Sequence, residues 1–266
     1  MKVALIQFDV DLGRAPAESI DRAVARVHEA AEDGAELVLL PELWLHGGFD
    51  PSVWPGAAEP LHGKTAQILQ QAAEDCGIVL HAGSLVERTP DGKLFNTSLV
   101  FDAEGELLAG YRKIHRFGFT EGEAAVMSPG EHPAVFDLAD IDGSVRTRVG
   151  LATCYDVRFP ELYRKLLEVG TQTVLMVAAW PAARLEHWQT LVRARAIENQ
   201  FFVLAAAAAG TQAGIRMSGH SMVVDPWGQV IAEAGDEETI LYAEIDLDLV
   251  EQTREKFPVL KDRRIR

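Results

Sequence analysis

The chain has 266 residues, of which 48% are hydrophobic and 24% are charged, a composition that can bury a large core. Because no linker-like or low-complexity stretch interrupts it, we expect a single domain over residues 1–266. Its 40 acidic and 25 basic side chains give a formal net charge of −15, which would repel nucleic acids and anionic lipid surfaces. The short basic tail at 261–266 does not reverse that expectation.

The start of the chain does not have the pattern of a signal peptide, because Met1 and Lys2 lead directly into a strand-like run at 3–8. No apolar run approaches the roughly 18 residues needed to span a bilayer. The two cysteines, Cys76 and Cys154, are too few for a disulfide framework. We therefore expect a soluble, cytoplasmic protein with no membrane partner and with both cysteines as free thiols.

Short apolar runs alternate with amphipathic stretches along the chain, which indicates an α/β protein. In the first half, the pattern predicts strands at 3–8, 36–40 and 78–84, helices around 20–31 and 65–76, and an antiparallel hairpin from 96–101 and 107–111. In the second half, it predicts strands at 148–152, 174–177, 201–207, 221–224, 230–234 and 240–245, and helices at 160–169, 185–200 and about 247–257. Hairpins mixed with crossovers favour a two-sheet sandwich flanked by helices over a purely parallel sheet.

Three residues with useful chemistry each follow a predicted strand. Cys154 lies between a strand and a helix that begins near Pro160, where loops build sites. By position alone, a free cysteine is more often a small buried hydrophobe, which is how we interpret Cys76 near the end of a helix. Glu42 has apolar neighbours on both sides, which should raise its pKa and suit it to act as a base, although a structural acid is the alternative. Lys113 follows the hairpin, but most lysines are solvated surface charges.

Three segments occur in the order found in a known family. They are Pro41-Glu42, the Arg-Lys-Ile-His stretch at 112–115, and the Cys-Tyr-Asp-Val-Arg-Phe-Pro-Glu-Leu stretch at 154–162. Together they resemble the nitrilase superfamily of carbon-nitrogen hydrolases, and the resemblance extends over essentially the whole chain. It implies a four-layer α-β-β-α sandwich, no cofactor, no metal, and a homodimer or larger homo-oligomer.

The resemblance also implies a site formed by Glu42, Lys113 and Cys154. These residue types fit the chemistry, because a thiolate attacks a carbonyl carbon more readily than water does and a base raises the thiolate population. By analogy with the family, Glu42 takes the thiol proton, passes it to departing ammonia, and then activates the water that hydrolyses the thioester. Lys113 and the backbone N–H of Tyr155 would stabilise the negative charge on the carbonyl oxygen.

A second glutamate is usual in this family between the lysine and a glycine-containing turn. Glu123 has the matching distance to the turn at 128–130, so the resemblance assigns it the task of orienting Lys113 or the substrate amino group. Glu121 is the alternative position, and a solvated loop acid remains the structural alternative.

Basic and aromatic side chains near these segments are candidates for substrate binding. Arg116, Arg158 and Arg184 would offer a positive wall to a substrate carboxylate, although arginines are more often surface or salt-bridge residues. Trp180 follows a predicted strand and either walls the pocket or packs in the core. We expect His115 to be structural, because the mechanism already has its base.

The residues after Cys154 separate the branches of the family. They resemble the amidases, including those that act on ω-amides of keto-diacids and on deaminated glutathione, whereas nitrilases more often carry a Trp-Glu pair there. We therefore predict hydrolysis of a small aliphatic or ω-amide to a carboxylic acid and ammonia. The alternatives, in order, are N-carbamoyl amine hydrolysis, nitrile hydrolysis and a non-catalytic scaffold. The sequence has no His-x-His or His-Glu-x-x-His motif for a metal-dependent amidohydrolase.

Overall fold

A computed structural model describes residues 1–139 and 143–265, so Arg266 of the basic tail lies outside the described residues. The strands form two six-stranded mixed sheets and one short hairpin. The first sheet has the order β14-β1-β2-β3-β4-β5 and contains β1 (Lys2–Gln7), β2 (Leu37–Leu39), β3 (Val79–Arg88), β4 (Leu94–Phe101), β5 (Leu107–Arg112) and β14 (Thr239–Glu244). Its β1, β2 and β3 run parallel, and the remaining neighbours pair antiparallel.

The second sheet repeats this plan with parallel strands at its centre. Its order is β13-β12-β9-β8-β7-β6, with β6 (Val135–Ala139), β7 (Val145–Thr153), β8 (Thr173–Ala178), β9 (Phe202–Ala207), β12 (Met222–Val224) and β13 (Val230–Glu233). The hairpin pairs β10 (Thr211–Gln212) with β11 (Ile215–Arg216). Because β7, β8 and β9 are parallel, their carboxyl ends lie at the same edge of the sheet.

Helices cover the outer face of each sheet. The α-helices are α1 (Pro16–Glu32), α2 (Trp54–Ala57), α3 (Lys64–Cys76), α4 (Glu123–Val126), α5 (Pro160–Glu168), α6 (Leu185–Asn199) and α7 (Leu249–Lys256), and 3₁₀ turns occur at Cys154–Arg158, Ala182–Arg184 and Val259–Asp262. Proline in the first turn begins α1 and α5, where its missing N–H has no partner to lose. Within the two described stretches, none of the helices is long and apolar enough to cross a membrane.

Successive side chains of a strand point to opposite faces of its sheet, and this alternation produces the four layers. In β1, Val3 and Leu5 pack in the core between the two sheets, whereas Ala4 and Ile6 pack in the core that includes residues of α1 and α3. A third core joins α5 and α6 to the other face of the second sheet. The architecture is the predicted α-β-β-α sandwich.

A bulge in β3 allows the end of β2 to approach it closely. The pairing of β3 with β4 shifts register between His81 and Ser84. Gly83 lies within that shift with a φ of +69°, and a Cβ at this position would stand 2.2 Å from the carbonyl oxygen of Pro41. The backbone N–H of Ser84 donates to that same oxygen at 3.3 Å. Position 83 therefore requires glycine both for its left-handed conformation and for the close contact.

We expect Gly83→Ala to lower the free energy of unfolding by clearly more than Gly77→Ala. Gly77 has a similar φ of +61°, but no atom lies within 4 Å of the place that an alanine Cβ would take, so its substitution should cost only the ~1–2 kcal/mol of left-handed strain. Gly83→Ala adds the backbone clash with Pro41 to that strain. Urea unfolding at neutral pH measures both values, and equal losses would contradict the close approach.

Candidate active site

Glu42, Lys113 and Cys154 meet although they lie far apart in the chain. Glu42 follows β2, Lys113 follows β5, and Cys154 follows β7. The Lys113 Nζ donates to Glu42 Oε1 at 2.7 Å, and all three residues line one pocket. Their relative exposures of 2% for Glu42, 2% for Lys113 and 7% for Cys154 mean that these groups interact largely shielded from water.

Ala179, the residue directly after β8, contacts both the Glu42 carboxylate and the Cys154 thiol. The backbone N–H of Ala179 donates to Glu42 Oε2 at 2.8 Å, and the Cys154 Sγ donates to the Ala179 carbonyl oxygen at 3.6 Å. Leu43, directly after Glu42, adopts a left-handed φ of +44°. A sharp turn after β2 and the backbone of Ala179, directly after β8, therefore fix the orientation of Glu42 relative to Cys154.

Cys154 itself has an unusual backbone conformation. Its φ of +48° is in the left-handed region, which costs a non-glycine residue ~1–2 kcal/mol. The turn is held by a reciprocal cap, in which the Thr153 side chain accepts from the Asp156 backbone and the Asp156 side chain accepts from the Thr153 N–H. Surrounding hydrogen bonds thus offset the strain at the strand end that presents the thiol to the pocket.

Asp156 ties the cysteine turn to the lysine segment. Its Oδ2 accepts from the Tyr111 hydroxyl at 2.8 Å and from the Thr153 N–H at 2.9 Å. Its Oδ1 accepts from the His115 N–H at 3.0 Å and lies 2.7 Å from His115 Nδ1. The His115 ring also stacks on the Phe159 ring, with the ring centroids 3.8 Å apart. The structure therefore places His115 against both Asp156 and Phe159. The Asp156 carboxylate is fully buried. Because it binds residues next to or near Lys113 and Cys154 in the chain, it fixes the positions of these two residues relative to each other.

Glu123 is the second carboxylate that contacts Lys113. Its Oε2 accepts from Lys113 Nζ at 2.6 Å and from the Phe117 N–H at 2.9 Å. Glu121 is exposed on the preceding turn. The structure therefore brings Glu123, rather than Glu121, to Lys113.

Burial and charge set the protonation of the site. Desolvation raises the pKa of Glu42, and repulsion from Glu123 adds to the effect of burial, while Lys113 opposes both. Burial alone would lower the pKa of Lys113, but attraction to Glu123 and Glu42 outweighs it and holds that pKa well above its usual value. Burial and the Glu42 charge raise the pKa of Cys154 well above its usual value. The resting site therefore contains a cationic lysine and a protonated thiol.

Aromatic rings form the walls of a small pocket over the thiol. Phe49, Phe117, Tyr155 and Trp180 line an opening of about 350 Å³, part of which is open to solvent. Phe117 meets Phe49 and Tyr155 edge-on, with ring centroids 6.2 Å and 5.4 Å apart. Rigid flat walls of this kind suit a small substrate of few heavy atoms.

Two of the three candidate arginines line this pocket. Arg158 lies with its guanidinium 4.9 Å from the Trp180 ring, and Arg184 lies 5.4 Å from the Phe117 ring. Across the described residues, neither of these guanidinium groups forms an ion pair with a carboxylate. Arg116, the third candidate, does not line the pocket. It donates instead to the carbonyl oxygens of α4 and its C-cap, at Ala124 and Met127, because that short helix leaves its last carbonyls without partners.

Comparison with known proteins identifies the family. The carbon-nitrogen hydrolase profile matches residues 2–255. The chain belongs to the carbon-nitrogen hydrolase family. It is 40% identical over 269 residues to a protein named 2-oxoglutaramate amidase from Paenarthrobacter nicotinovorans, covering 99% of this chain and 90% of that relative. It is 38% identical over 275 residues to the omega-amidase NIT2 of Homo sapiens, covering 99% and 95%.

Solved structures of carbon-nitrogen hydrolases share the fold. The Saccharomyces cerevisiae protein Nit3, described as a member of branch 10 of the nitrilase superfamily, superimposes with a TM-score of 0.88 at 31% identity and covers 100% of this chain and 97% of that one. A glutamate-to-glutamine variant of the amidase from Nesterenkonia sp. AN1, carrying an acrylamide adduct on its active-site cysteine, gives a TM-score of 0.82 at 31% identity over 98% of this chain and 99% of that one. The predicted sandwich and the predicted amidase-like membership are confirmed.

Two groups in the site of this carbon-nitrogen hydrolase were not predicted from the sequence. Asn96, in β4, donates from Nδ2 to Glu42 Oε1 at 2.8 Å and to Glu123 Oε1 at 2.7 Å. Its sequence signal was a buried-strand pattern interrupted by polar residues, which is uncommon unless those residues have partners. The second group is the backbone of Ala179, which no side-chain pattern reveals. In the parts of the chain that the structure describes, no cluster of three or more His, Cys, Asp or Glu side chains could hold a metal ion.

We expect Asp156→Asn to lower the free energy of unfolding of this carbon-nitrogen hydrolase by about 3 kcal/mol. The change removes a buried negative charge and turns an amide N–H toward groups that already donate. Asp137→Asn is the matched control, because the Asp137 carboxylate, like that of Asp156, accepts several hydrogen bonds. Both of its hydrogen bonds come from one arginine at the surface, where such pairs contribute less than ~1 kcal/mol. Equal losses in urea unfolding would rule out the tethering role.

Proposed function

We propose that this protein hydrolyses the carboxamide group of a small acid and releases ammonia through a thioester on Cys154. The observation that carries the proposal is the convergence of Glu42, Lys113 and Cys154 in one buried pocket, with Glu42 and Lys113 joined at 2.7 Å. The relatives named as amidases support the same reaction class. The matched span of residues 2–255 supports a single catalytic domain.

The reaction begins with proton transfer from the Cys154 thiol to Glu42. The resulting thiolate attacks the amide carbon, a carbon–sulfur bond forms, and the carbonyl oxygen becomes an oxyanion. Lys113 and the backbone N–H of Tyr155 donate to that oxyanion. When the carbon–nitrogen bond breaks, Glu42 returns its proton to the nitrogen and ammonia leaves.

The second half of the reaction uses the same groups. Glu42, again a carboxylate, takes a proton from a water molecule whose oxygen attacks the thioester carbon. The carbon–sulfur bond breaks, the carboxylic acid product leaves, and the thiolate takes the proton back. Glu123 helps to keep Lys113 cationic in both halves of the reaction, because its attraction for the ammonium raises the pKa of Lys113. That attraction does not depend on the proton that Glu42 accepts and releases.

The shifted pKa values support this division of roles. A carboxyl with a raised pKa is a better proton acceptor near neutral pH than an ordinary surface glutamate. A thiol with a raised pKa remains protonated until substrate arrives, so the nucleophile forms only next to the carbonyl carbon that it attacks.

The pocket supports a substrate with a second, distal carboxylate. Arg158 and Arg184 stand on its wall without a carboxylate partner among the described residues, and a guanidinium can bind a carboxylate through two parallel hydrogen bonds. We therefore assign the ω-amides of small keto-diacids as the preferred substrate class. A relative named 2-oxoglutaramate amidase is consistent with that assignment.

The oligomeric state and the cellular location of the protein are inferred from the family resemblance as well. We propose a homodimer or larger homo-oligomer in the cytoplasm. Exposed apolar side chains at Ile197, Trp227 and Phe257, with exposures of 49%, 41% and 54%, support burial against a second copy. Cys76 and Cys154 are both free thiols, which suits a reducing compartment.

Cys154→Ala and Glu42→Gln should each abolish ammonia release from an ω-amide while the protein stays folded, because the two side chains act as one proton-transfer unit. In the unmodified enzyme, kcat/KM should fall as the pH drops through the pKa of Glu42, which lies above its ordinary value of 4.5, since only the carboxylate accepts the thiol proton. Cys76→Ala is the control and should keep its activity, because Cys76 lies outside the pocket. Full turnover by a folded Cys154→Ala variant would exclude the mechanism.

Replacing the arginine that binds the distal carboxylate, by Arg158→Gln or Arg184→Gln, should raise KM for a keto-diacid ω-amide by about tenfold or more. That size matches the ~1.5–3 kcal/mol of a hydrogen bond to a charged group. KM for a neutral aliphatic amide should change little, and Arg14→Gln, at an exposed pair with Glu18, is the surface control. Ammonia release should be followed over ω-amides, neutral amides, N-carbamoyl amines and nitriles. If neutral amides are preferred and neither arginine discriminates, the distal carboxylate assignment fails while amide hydrolysis stands.

A further inference from the structure

Asn96 contacts three of the four residues around the reacting centre. Its side-chain Nδ2 lies 2.8 Å from Glu42 Oε1 and 2.7 Å from Glu123 Oε1. Its backbone carbonyl oxygen accepts from the Lys113 N–H at 2.9 Å. With 2% exposure, Asn96 exchanges none of these contacts readily with water.

We infer that Asn96 is a positioning residue that holds the carboxylates of Glu42 and Glu123 in place around Lys113 and keeps Glu42 able to accept a proton, by giving each carboxylate one amide N–H. The inference rests on the proposed hydrolysis, in which Glu42 must be free to accept the Cys154 proton. Asn96 itself is not among the residues that line the pocket, so it acts through the two carboxylates.

The charge balance of the site explains why such a donor is needed. Glu42 after β2, Glu123 in α4, Lys113 after β5 and Cys154 after β7 are the titratable groups that face one another here. One ammonium faces two carboxylates, and both direct an oxygen at the same amide nitrogen. Without the Asn96 amide, only the Lys113 ammonium would separate these two like charges in a buried setting, where one of two neighbouring carboxyls commonly keeps a proton. A proton shared in that way would prevent Glu42 from serving as a base.

The orientation of the amide follows from the same contacts. If the side chain were rotated by half a turn, Asn96 Oδ1 would face two carboxylate oxygens and three acceptors would meet without a proton. In the observed orientation, Oδ1 is buried and has no hydrogen-bond partner in the described part of the chain. The site thus tolerates an unsatisfied oxygen, which is costly when buried, in exchange for two donated hydrogen bonds.

An asparagine is better suited to this place than a second cation. A lysine or arginine would balance the two carboxylates fully and would lower the pKa of Glu42 toward that of an ordinary ion-paired acid. A neutral donor keeps both carboxylates in place and leaves Glu42 with the raised pKa that burial confers. Position 96 therefore adjusts the basicity of Glu42 as well as its geometry.

The test compares Asn96→Asp, Asn96→Leu and Asn96→Ser in a Cys76→Ala background, so that Cys154 is the only thiol. Asn96→Asp keeps the shape but replaces the donor, Asn96→Leu removes all polarity, and Asn96→Ser keeps a single donor. Thr97→Val is the matched control, because Thr97 is the next residue of β4, is also buried, and also donates to a buried carboxylate, that of Glu87. The measurements are melting temperature, kcat and KM for an ω-amide, and the rate of Cys154 alkylation by iodoacetamide as a function of pH.

We expect the acid limb of the alkylation profile to move to higher pH in Asn96→Asp and Asn96→Leu, because Glu42 then binds its proton more tightly. At neutral pH, both the alkylation rate and kcat should fall about tenfold or more, the range for loss of one hydrogen bond to a charged group, with KM nearly unchanged. Asn96→Ser should lie between these variants and the parent. Thr97→Val should leave the limb in place.

A folded Asn96→Leu or Asn96→Ser variant with an unmoved acid limb and full kcat would overturn the inference. A lower melting temperature without a moved limb would also overturn it, because that result describes a residue that only stabilises the fold. If the parent protein hydrolyses no amide while the alkylation limb moves as expected, the positioning role is supported and the proposed function fails. The alkylation measurement thus separates the two, since it requires no substrate.

Discussion

A single buried ammonium between two buried carboxylates is the interaction on which the rest of this structure depends. Lys113 donates to Glu42 at 2.7 Å and to Glu123 at 2.6 Å with almost no access to water. Charges of this kind are stable inside a protein only when every lone pair and proton has a partner, and removal of one partner leaves an uncompensated charge. The surrounding fold therefore has to deliver donors and acceptors to these three side chains with little positional freedom.

The two sheets deliver them from strand ends that are distant in the chain. β2 and β5 of the first sheet provide the segments that carry Glu42 and Lys113, whereas β7 and β8 of the second provide Cys154 and the Ala179 peptide. The core between the sheets therefore sets the distance between base and nucleophile. Asp156 adds a direct link across this gap, because its carboxylate binds residues on both sides of the site.

Elements with a regular pattern of apolar residues were predictable from the sequence, whereas short strands and contacts between distant residues were not. Long apolar runs such as β8 and β9 gave strands close to their observed bounds, and the motifs around Cys154 led to the confirmed fold and family. The edge strand β6 and the two-residue strands β10 and β11 were missed, because short or half-exposed strands have too few apolar positions to show a period. Contacts made by side chains far apart in sequence, as by Asn96, or by backbone atoms, leave no local pattern. The position of Arg116 could not be read from the sequence for the same reason, since its partners are carbonyl oxygens of the short helix α4 and its C-cap.

The left-handed backbone at Cys154 has a consequence for the evolution and engineering of this protein. A glycine there would relieve the left-handed strain, but it would also remove the nucleophile and the buried packing of its side chain. Backbone relaxation and chemistry therefore favour different residues at this position. Directed evolution for stability therefore needs a screen for activity beside it, because a stability screen alone does not detect the loss of the thiol.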